Sequence, residues 1–471
     1  MFDGIPTYKL WEKDGKIWVR VPKVIKGTGR KTMSMVKRDS SDSRRFVIVG
    51  GGAAALSAAE TLRQSGYGGE IVLLTNEDAL PYDRTILSKN IFGASINGLL
   101  SRSQSFLDEY EIKVQTGVNV NKVDPSSNTV CMEGKTPLKY DKLLIATGGS
   151  PRIPPIQGAQ SNNVFVLRNY QQMEKIKAAT QNAKNVVLIG ASFISMECAS
   201  NIKDHLKENV NVHVVDMASA PFERVLGADV GKGVQQIAEA AGVKFSLGSG
   251  IKAIEDNGSS KKVVLSNGQT LDADVVILGT GVSPNSEIVK GAVNLSKDGG
   301  IETNSHLQTS NNNIFAAGDV AAYPNWYSGD RTRVEHYSEA IQQGQVAAYN
   351  MLGKGVNHDA IPFFWTRQWG TSLQYVGNGQ GYDNVWVDGD VAKKNFFAYY
   401  AKGEKILGVA AMGKSPATMV LNQAMQLDLL PNLSDLKNGK VSLDDIRKKV
   451  NEKKGKSNCR RHKCQHKKGQ N

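Results

Sequence analysis

The apolar residues fall into short runs closed by glycine turns, and these runs recur along the chain in a fixed order. Phe46-Val47-Ile48-Val49 reads as a buried parallel strand. Gly50-Gly51-Gly52-Ala53-Ala54-Ala55 follows, and the Ala-rich pattern behind it predicts a helix over 53–64. A second apolar run, Ile71-Val72-Leu73-Leu74, ends in Thr75-Asn76-Glu77. Strand, Gly-x-Gly-x-x-Ala turn, helix, strand and acid in that order describe a dinucleotide-binding βαβ unit. Gly50 allows the tight turn, Gly52 lets backbone approach a diphosphate, and the small residues after it let helix pack on strand. Glu77, or Asn76 beside it, lies where a side chain would bond a ribose hydroxyl.

The pattern then repeats. Residues 143–149 give an apolar strand and the turn Ala146-Thr147-Gly148-Gly149, after a strand around Val118-Asn119-Val120. Residues 186–189 run into Gly190-Ala191-Ser192-Phe193-Ile194-Ser195, a helix pattern, and Val212-His213-Val214-Val215-Asp216. Serines stand at the second and third glycine positions of this copy. Asp216 ends its strand as a ribose-binding acid should, and no cation follows it until Arg224, which favours NADH over NADPH. A strand ending at Gly279-Thr280-Gly281 mirrors the first copy, and a third, over 314–317, ends at Gly318-Asp319. The chain therefore reads as an internal duplication, an α/β fold with two Rossmann-like dinucleotide-binding domains. Residues 360–446 read as a small C-terminal α/β module, with strands near 372–377, 385–388, 395–402 and 406–412 and a helix near 416–427.

The loop Pro81-Tyr82-Asp83-Arg84-Thr85-Ile86-Leu87-Ser88-Lys89 brings two cations and a tyrosine beyond the second strand. They suit contacts to a diphosphate or a flat ring, and they equally describe a solvated loop. Two short strands are predicted before residue 22, around the turn Lys13-Asp14-Gly15, and such a hairpin needs a sheet to join.

Charge changes the picture only at the ends. The net charge is +13, but residues 447–471 hold 11 Lys/Arg against one acid, and residues 1–45 hold 12 against five. The body between is left at −4, so the basic balance says nothing of the site. Residues 447–471 read as a disordered basic tail able to meet acidic partners weakly. Its Cys459-Arg460-Arg461-His462-Lys463-Cys464-Gln465-His466 alternates ligand types with cations and is read as no metal site. No apolar run approaches membrane-spanning length, and nothing after Met1 resembles a signal peptide. Four cysteines are too few for a disulfide scaffold, so a reducing compartment, cytoplasmic or mitochondrial, is expected. Residues 53–100 contain no cysteine, which excludes a redox dithiol on the first helix.

These motifs, with Leu80-Pro81-Tyr82-Asp83-Arg84, Glu197, Glu335-His336-Tyr337 and Pro362-Phe363-Phe364-Trp365, resemble the FAD-dependent pyridine-nucleotide reductases. The best match is their ferredoxin-reductase and apoptosis-inducing-factor-like branch. The resemblance implies FAD on Gly50, Gly52, Ala54, Ala55, Glu77, Arg84, Lys89, Val120, Ala146, Thr147, Gly148, Gly318, Asp319, His336 and Trp365. It implies NADH on Gly190, Ser192, Phe193, Ile194, Asp216 and Gly281. Glu197, Trp365 and Lys89 would stand at the reacting rings. Domains are then expected at 46–165 with 292–355 (FAD), 166–291 (NAD) and 356–446, after a linker over 27–45. Residues 1–26 resemble the last strands of a Rieske domain, but residues 1–130 hold neither Cys nor His, so no iron–sulfur cluster is expected there. Expected partners are an external electron acceptor, such as a small iron–sulfur protein, a quinone or oxygen, and a second copy of the chain. The rival reading is a redox-sensing binding protein whose turnover is incidental.

Overall fold

The computed structural model describes residues 8–21 and 32–453. Two parallel five-stranded sheets form its centre. The first is ordered Ile314–Ala316, Lys142–Ile145, Arg45–Val49, Glu70–Leu74, Ile112–Gln115. The second is ordered Val164–Val166, Val275–Leu278, Asn185–Ile189, Asn211–Asp216, Val243–Leu247. In each, the strand before the glycine turn lies in the middle, with the strand leading to the acid beside it. Each sheet also carries an antiparallel three-stranded meander, at residues 120–139 between Ile112–Gln115 and Lys142–Ile145 and at residues 251–273 between Val243–Leu247 and Val275–Leu278. The duplication read from the glycine turns is thus a duplication of topology.

Strands buried on both faces explain the apolar runs: Phe46 to Val49 and Val186 to Ile189 are all buried. The helix Ala53–Gln64 is buried from Ala54 to Arg63 and lies against the helix Tyr337–Met351. That approach depends on Gly344, where a Cβ would fall 2.3 Å from the Ala54 carbonyl oxygen. Ser57 Oγ adds a bond to the Ile341 carbonyl at 2.8 Å. Arg63 closes the far end of the first helix, donating to the carbonyls of Tyr67, Gly69, Tyr110 and Glu111 at 2.6–3.0 Å.

The halves are joined by a two-stranded ribbon, Gly149–Pro151 against Val282–Pro284. The strand Val164–Val166 already belongs to the second sheet, so a division at residue 165 falls inside an element and moves to before Val164. The third unit is an antiparallel sheet ordered Phe363–Gln368, Thr371–Gly377, Lys405–Met412, Asn395–Lys402, Asn384–Asp390, backed by the helix Ala417–Gln426. Its first strand is absent from the sequence reading, because Phe363-Phe364-Trp365 shows no alternation.

Two expectations at the ends change. Part of the expected linker is fastened down: the Val36 N–H meets the Arg63 carbonyl at 3.1 Å, and the Asp39 N–H meets that of Gly68 at 2.8 Å. A helix continues over 443–453, so the basic tail does not begin at 447. Ile446 and Val450 are both buried, four residues apart on one helical face, and charge composition hides that stripe. The cysteine- and histidine-bearing end of the tail lies outside the described residues. The hairpin is present as Lys9–Lys13 paired with Lys16–Arg20, with Asp14 and Gly15 both at positive φ, and it pairs with no further strand among the described residues. Residues 1–7 and 22–26 of the Rieske-like segment lie outside the described residues.

Candidate functional site

A cleft of about 1450 Å³ opens at the carboxyl ends of the first sheet. Its walls take Gly50, Gly52 and Ala54, Glu77, Arg84, Lys89, Val120, Ala146-Thr147-Gly148, Gly318-Asp319, His336 and Trp365. Phe193, Ile194 and Glu197, from the start of the second-domain helix Phe193–Leu206, line it too. Ala55 is buried behind the turn, and Gly190, Ser192, Asp216 and Gly281 are not among the lining residues.

The glycines of the first turn differ in what surrounds them. At Gly50, with φ +130°, a Cβ would lie 2.1 Å from the Ala146 carbonyl oxygen, so this glycine lets one strand end pass another. At Gly52 a Cβ would meet no protein atom within 4 Å. Gly52 caps the helix Ala53–Gln64 without any side-chain hydrogen bond. Free N–H groups and the positive end of the helix therefore face open space, the arrangement that receives a phosphate. A dinucleotide fits these residues: a small-residue cradle, an uncapped helix, and acids at Glu77 and Asp319.

The charged side chains are partly paired among themselves. Arg84 bonds Glu77, whose other oxygen accepts Tyr82 Oη at 2.6 Å. Arg84 also donates to the Arg168 carbonyl at 3.2 Å. Arg168 itself reaches Asp319 at 3.1 Å, and its guanidinium nitrogen stands 2.7 Å from where a Gly148 Cβ would be. Arg168 is a site residue that sequence reasoning misses; its only signal is a lone cation two residues after the short strand Val164–Val166. Thr147 Oγ1 donates to the Asn285 carbonyl at 2.6 Å, tying the cleft floor to the segment after the ribbon.

Lys89 stands apart from Arg84. Its ammonium meets Glu197 at 2.9 Å and lies 5.4 Å above the Trp365 ring. Glu197 is 3% exposed and also accepts Thr366 Oγ1 at 2.5 Å and the Ser88 hydroxyl. The helix after the second glycine turn, the lysine of the 81–89 loop and the first strand of the third unit thus meet at one carboxylate. Thr366 and Ser88 went unread as partners because both are short hydroxyls far from Glu197 in sequence. Cys198, next to it, is fully buried, and burial pushes its thiol far above the ordinary value, so it is inert.

His336 lies at the N-terminus of the helix Tyr337–Met351, with its ring 4.4 Å from that of Phe364. Burial pushes its imidazole down to about 4. The unfolded chain, with an ordinary histidine near 6.5, binds the proton first as pH falls. Stability from this group is therefore full above about 6.5 and is lost as pH falls through about 4, by roughly 3 kcal/mol. Thermal melts of His336→Gln between pH 7 and 4 are expected to lose less stability than the parent; parallel curves would contradict this.

At the second glycine turn, Gly190 takes φ +95° and passes the Gly279 carbonyl, where a Cβ would come within 2.5 Å. The serine at the third glycine position is matched from across the turn: a Cβ on Gly279 would sit 1.8 Å from Ser195 Oγ. Asp216 accepts the Ala191 N–H at 2.5 Å and the Ala218 N–H at 2.8 Å, so its carboxylate fixes both loops at this end of the sheet.

Comparison with known proteins agrees with this architecture. The family model described as pyridine nucleotide-disulphide oxidoreductase matches residues 44–344, and that described as reductase C-terminal matches 363–447. Apoptosis-inducing factor 3 of Homo sapiens is 34% identical over 422 residues, covering 88% of this chain and 69% of that protein. Putidaredoxin reductase of Pseudomonas putida is 31% identical over 395 residues, 82% of this chain and 92% of that one. Among solved structures, the covalent putidaredoxin reductase–putidaredoxin complex matches with a TM-score of 0.81 at 29% identity, over 87% of this chain and 99% of that chain. The chain belongs to the pyridine nucleotide-disulphide oxidoreductases and is a flavin-dependent NAD(P)H reductase.

Proposed function

We propose that the chain takes hydride from NADH onto FAD held in the cleft and passes the electrons to a small iron–sulfur protein. The observation that carries the reading is the meeting of Lys89, Glu197 and Trp365 at the mouth of a cleft built around the first glycine turn. FAD supplies the redox chemistry when bound. The chain supplies orientation and a shielded site.

In this reading the N-termini of the helix Ala53–Gln64 and of the helix Tyr337–Met351 face the cofactor, and Asp319 accepts from its polyol hydroxyls. Arg84 and Arg168 supply cations along it. Glu197, fixed by three donors, orients the nicotinamide amide, with Lys89 beside it. Trp365, 44% exposed, forms the edge across which an acceptor protein approaches. No side chain need exchange a proton with the hydride. The iron–sulfur acceptor is favoured because putidaredoxin reductase, similar over most of this chain, is crystallised with putidaredoxin. Steady-state assays with NADH and a [2Fe–2S] ferredoxin, a quinone or oxygen test it. Ferredoxin reduction well above the other two is expected, and ferredoxin reduction no faster than background would overturn it.

NADH is preferred because Asp216, each of whose oxygens already accepts one backbone N–H, keeps acceptor capacity for ribose hydroxyls beside an exposed Met217, and no Lys or Arg follows it in sequence before Arg224. The pair of changes Asp216→Ala and Met217→Arg is expected to move the NADH/NADPH ratio of kcat/KM toward NADPH by about 100-fold, roughly 3 kcal/mol. An unchanged ratio would count against the assignment of Asp216.

A further inference from the structure

One group of buried polar side chains takes no part in holding either nucleotide. Glu339, in the first turn of the helix Tyr337–Met351, is fully buried. Its Oε1 meets His358 Nε2 at 2.5 Å and accepts Gln343 Nε2 at 3.1 Å. The other end of the Gln343 amide accepts the Gly318 N–H at 2.8 Å, one residue before Asp319. Tyr323, on the strand Ala321–Pro324, also faces the carboxylate. Its Oε2 is buried and, like the Tyr323 hydroxyl, has no hydrogen-bond partner within bonding distance among the described residues.

A carboxylate with no exposure is seldom retained in a protein interior, because desolvation is costly unless its oxygens are met by donors. Here it stands at the N-terminal turn of a helix, where a negative charge is favoured. The histidine is the other half of the charge balance. His358 Nδ1 is buried and has no hydrogen-bond partner among the described residues. A proton on Nε2 satisfies the contact to Glu339; a second on Nδ1 would bury an N–H with no acceptor. His336, at the start of the same helix, is kept neutral by burial. The pair therefore carries a net negative charge.

The same helix turns its N-terminus to the cleft, where His336, Tyr337 and Ser338 line the wall. That positive end would by itself favour the negative charge that reduction brings to a cofactor in front of it. We infer that the Glu339–His358 pair is a buried anion that offsets this helix terminus and holds the flavin's reduction potential down. Gln343 links the pair to the Gly318–Asp319 turn. The carboxylate is an acceptor only, so it fixes the Gln343 amide with its oxygen toward the Gly318 N–H. Glu339 and His358 are positioning residues, and their effect rests on the reading of the cleft as a flavin site. A lower potential makes the reduced enzyme a stronger donor to an iron–sulfur acceptor.

The test is a dye-coupled spectroelectrochemical titration of purified holoenzyme at pH 7. Glu339→Gln, which removes the charge and keeps the shape, is expected to shift the reduction equilibrium about tenfold toward the reduced state. For a two-electron couple that is about 30 mV upward. His358→Gln keeps a donor to the carboxylate and carries no charge, so it is expected to move the potential by less than a third of that. An unmoved potential in Glu339→Gln would overturn the inference, as would a large downward shift in His358→Gln, which would mean that the ring had been a cation. Should Glu339→Gln fail to fold, the double variant Glu339→Gln/His358→Gln is titrated in its place, a raised potential in support and an unmoved one against. Absence of flavin bands in the parent protein would instead overturn the flavin reading, and the two failures are told apart by that spectrum.

Discussion

Gly52→Val is expected to yield a folded protein that has lost its flavin. A valine Cβ at this position meets no protein atom within 4 Å, and its φ of −94° with ψ of −171° is extended backbone that valine adopts readily. The side chain would instead fill the space in front of the uncapped helix Ala53–Gln64. FAD affinity should fall by at least about 100-fold, roughly 3 kcal/mol, while the apoprotein melts within a few degrees of the parent apoprotein. The neighbouring change Gly50→Val is the contrast. It forces a φ of +130° on a β-branched residue and drives a Cβ to 2.1 Å from the Ala146 carbonyl, so it should fail to fold. Normal flavin content in Gly52→Val would show that the cofactor's diphosphate lies elsewhere.

The second large effect is expected at Lys89 and Glu197. Their side chains are 13% and 3% exposed, so removing one partner strands a charge in a largely dry site. Lys89→Met alone is expected to cost about 3–5 kcal/mol of stability, and the double variant Lys89→Met/Glu197→Gln less than the sum of the singles. Anaerobic stopped-flow reduction by NADH should slow about 100-fold in Glu197→Gln with flavin content retained, because the nicotinamide loses its anchor and misplacement by about 1 Å is enough. The double variant should be no slower than either single, since the pair acts as a unit. Additive losses in both stability and rate would mean that the two side chains work independently.

The fold was legible because glycine turns of this kind leave little freedom in sequence. A backbone that must pass within van der Waals contact of another strand end admits no side chain, and Gly50 and Gly190 both stand at such places. The strand-turn-helix order at 46–64 could therefore be read closely: the helix is Ala53–Gln64, and the strand begins one residue earlier than read, at Arg45. The cleft-facing positions of the first copy followed from the same logic. Partnerships made by tertiary contact were not legible. Nothing local in the chain brings Ser88 or Thr366 to Glu197, or Arg168 to Asp319. Nor did sequence show that Arg84 spends its charge on Glu77. Charge count also misread the tail: a basic segment can still place Ile446 and Val450 inward on one helical stripe.

The division of labour between the two copies is likewise physical. The first turn opens on the cleft with an empty space at Gly52. The second has serines where the first has glycine and alanine, met across the turn by Gly279, and its acid is already engaged with two backbone N–H groups. A permanently held cofactor suits the first arrangement and a transient one the second.

The most direct measurement is an anaerobic titration of the purified protein with NADH, followed at the flavin absorption bands. The account predicts flavin bands in the resting protein and their bleaching by about one equivalent of NADH per flavin. Resting protein that retains flavin but is not bleached by NADH would contradict it.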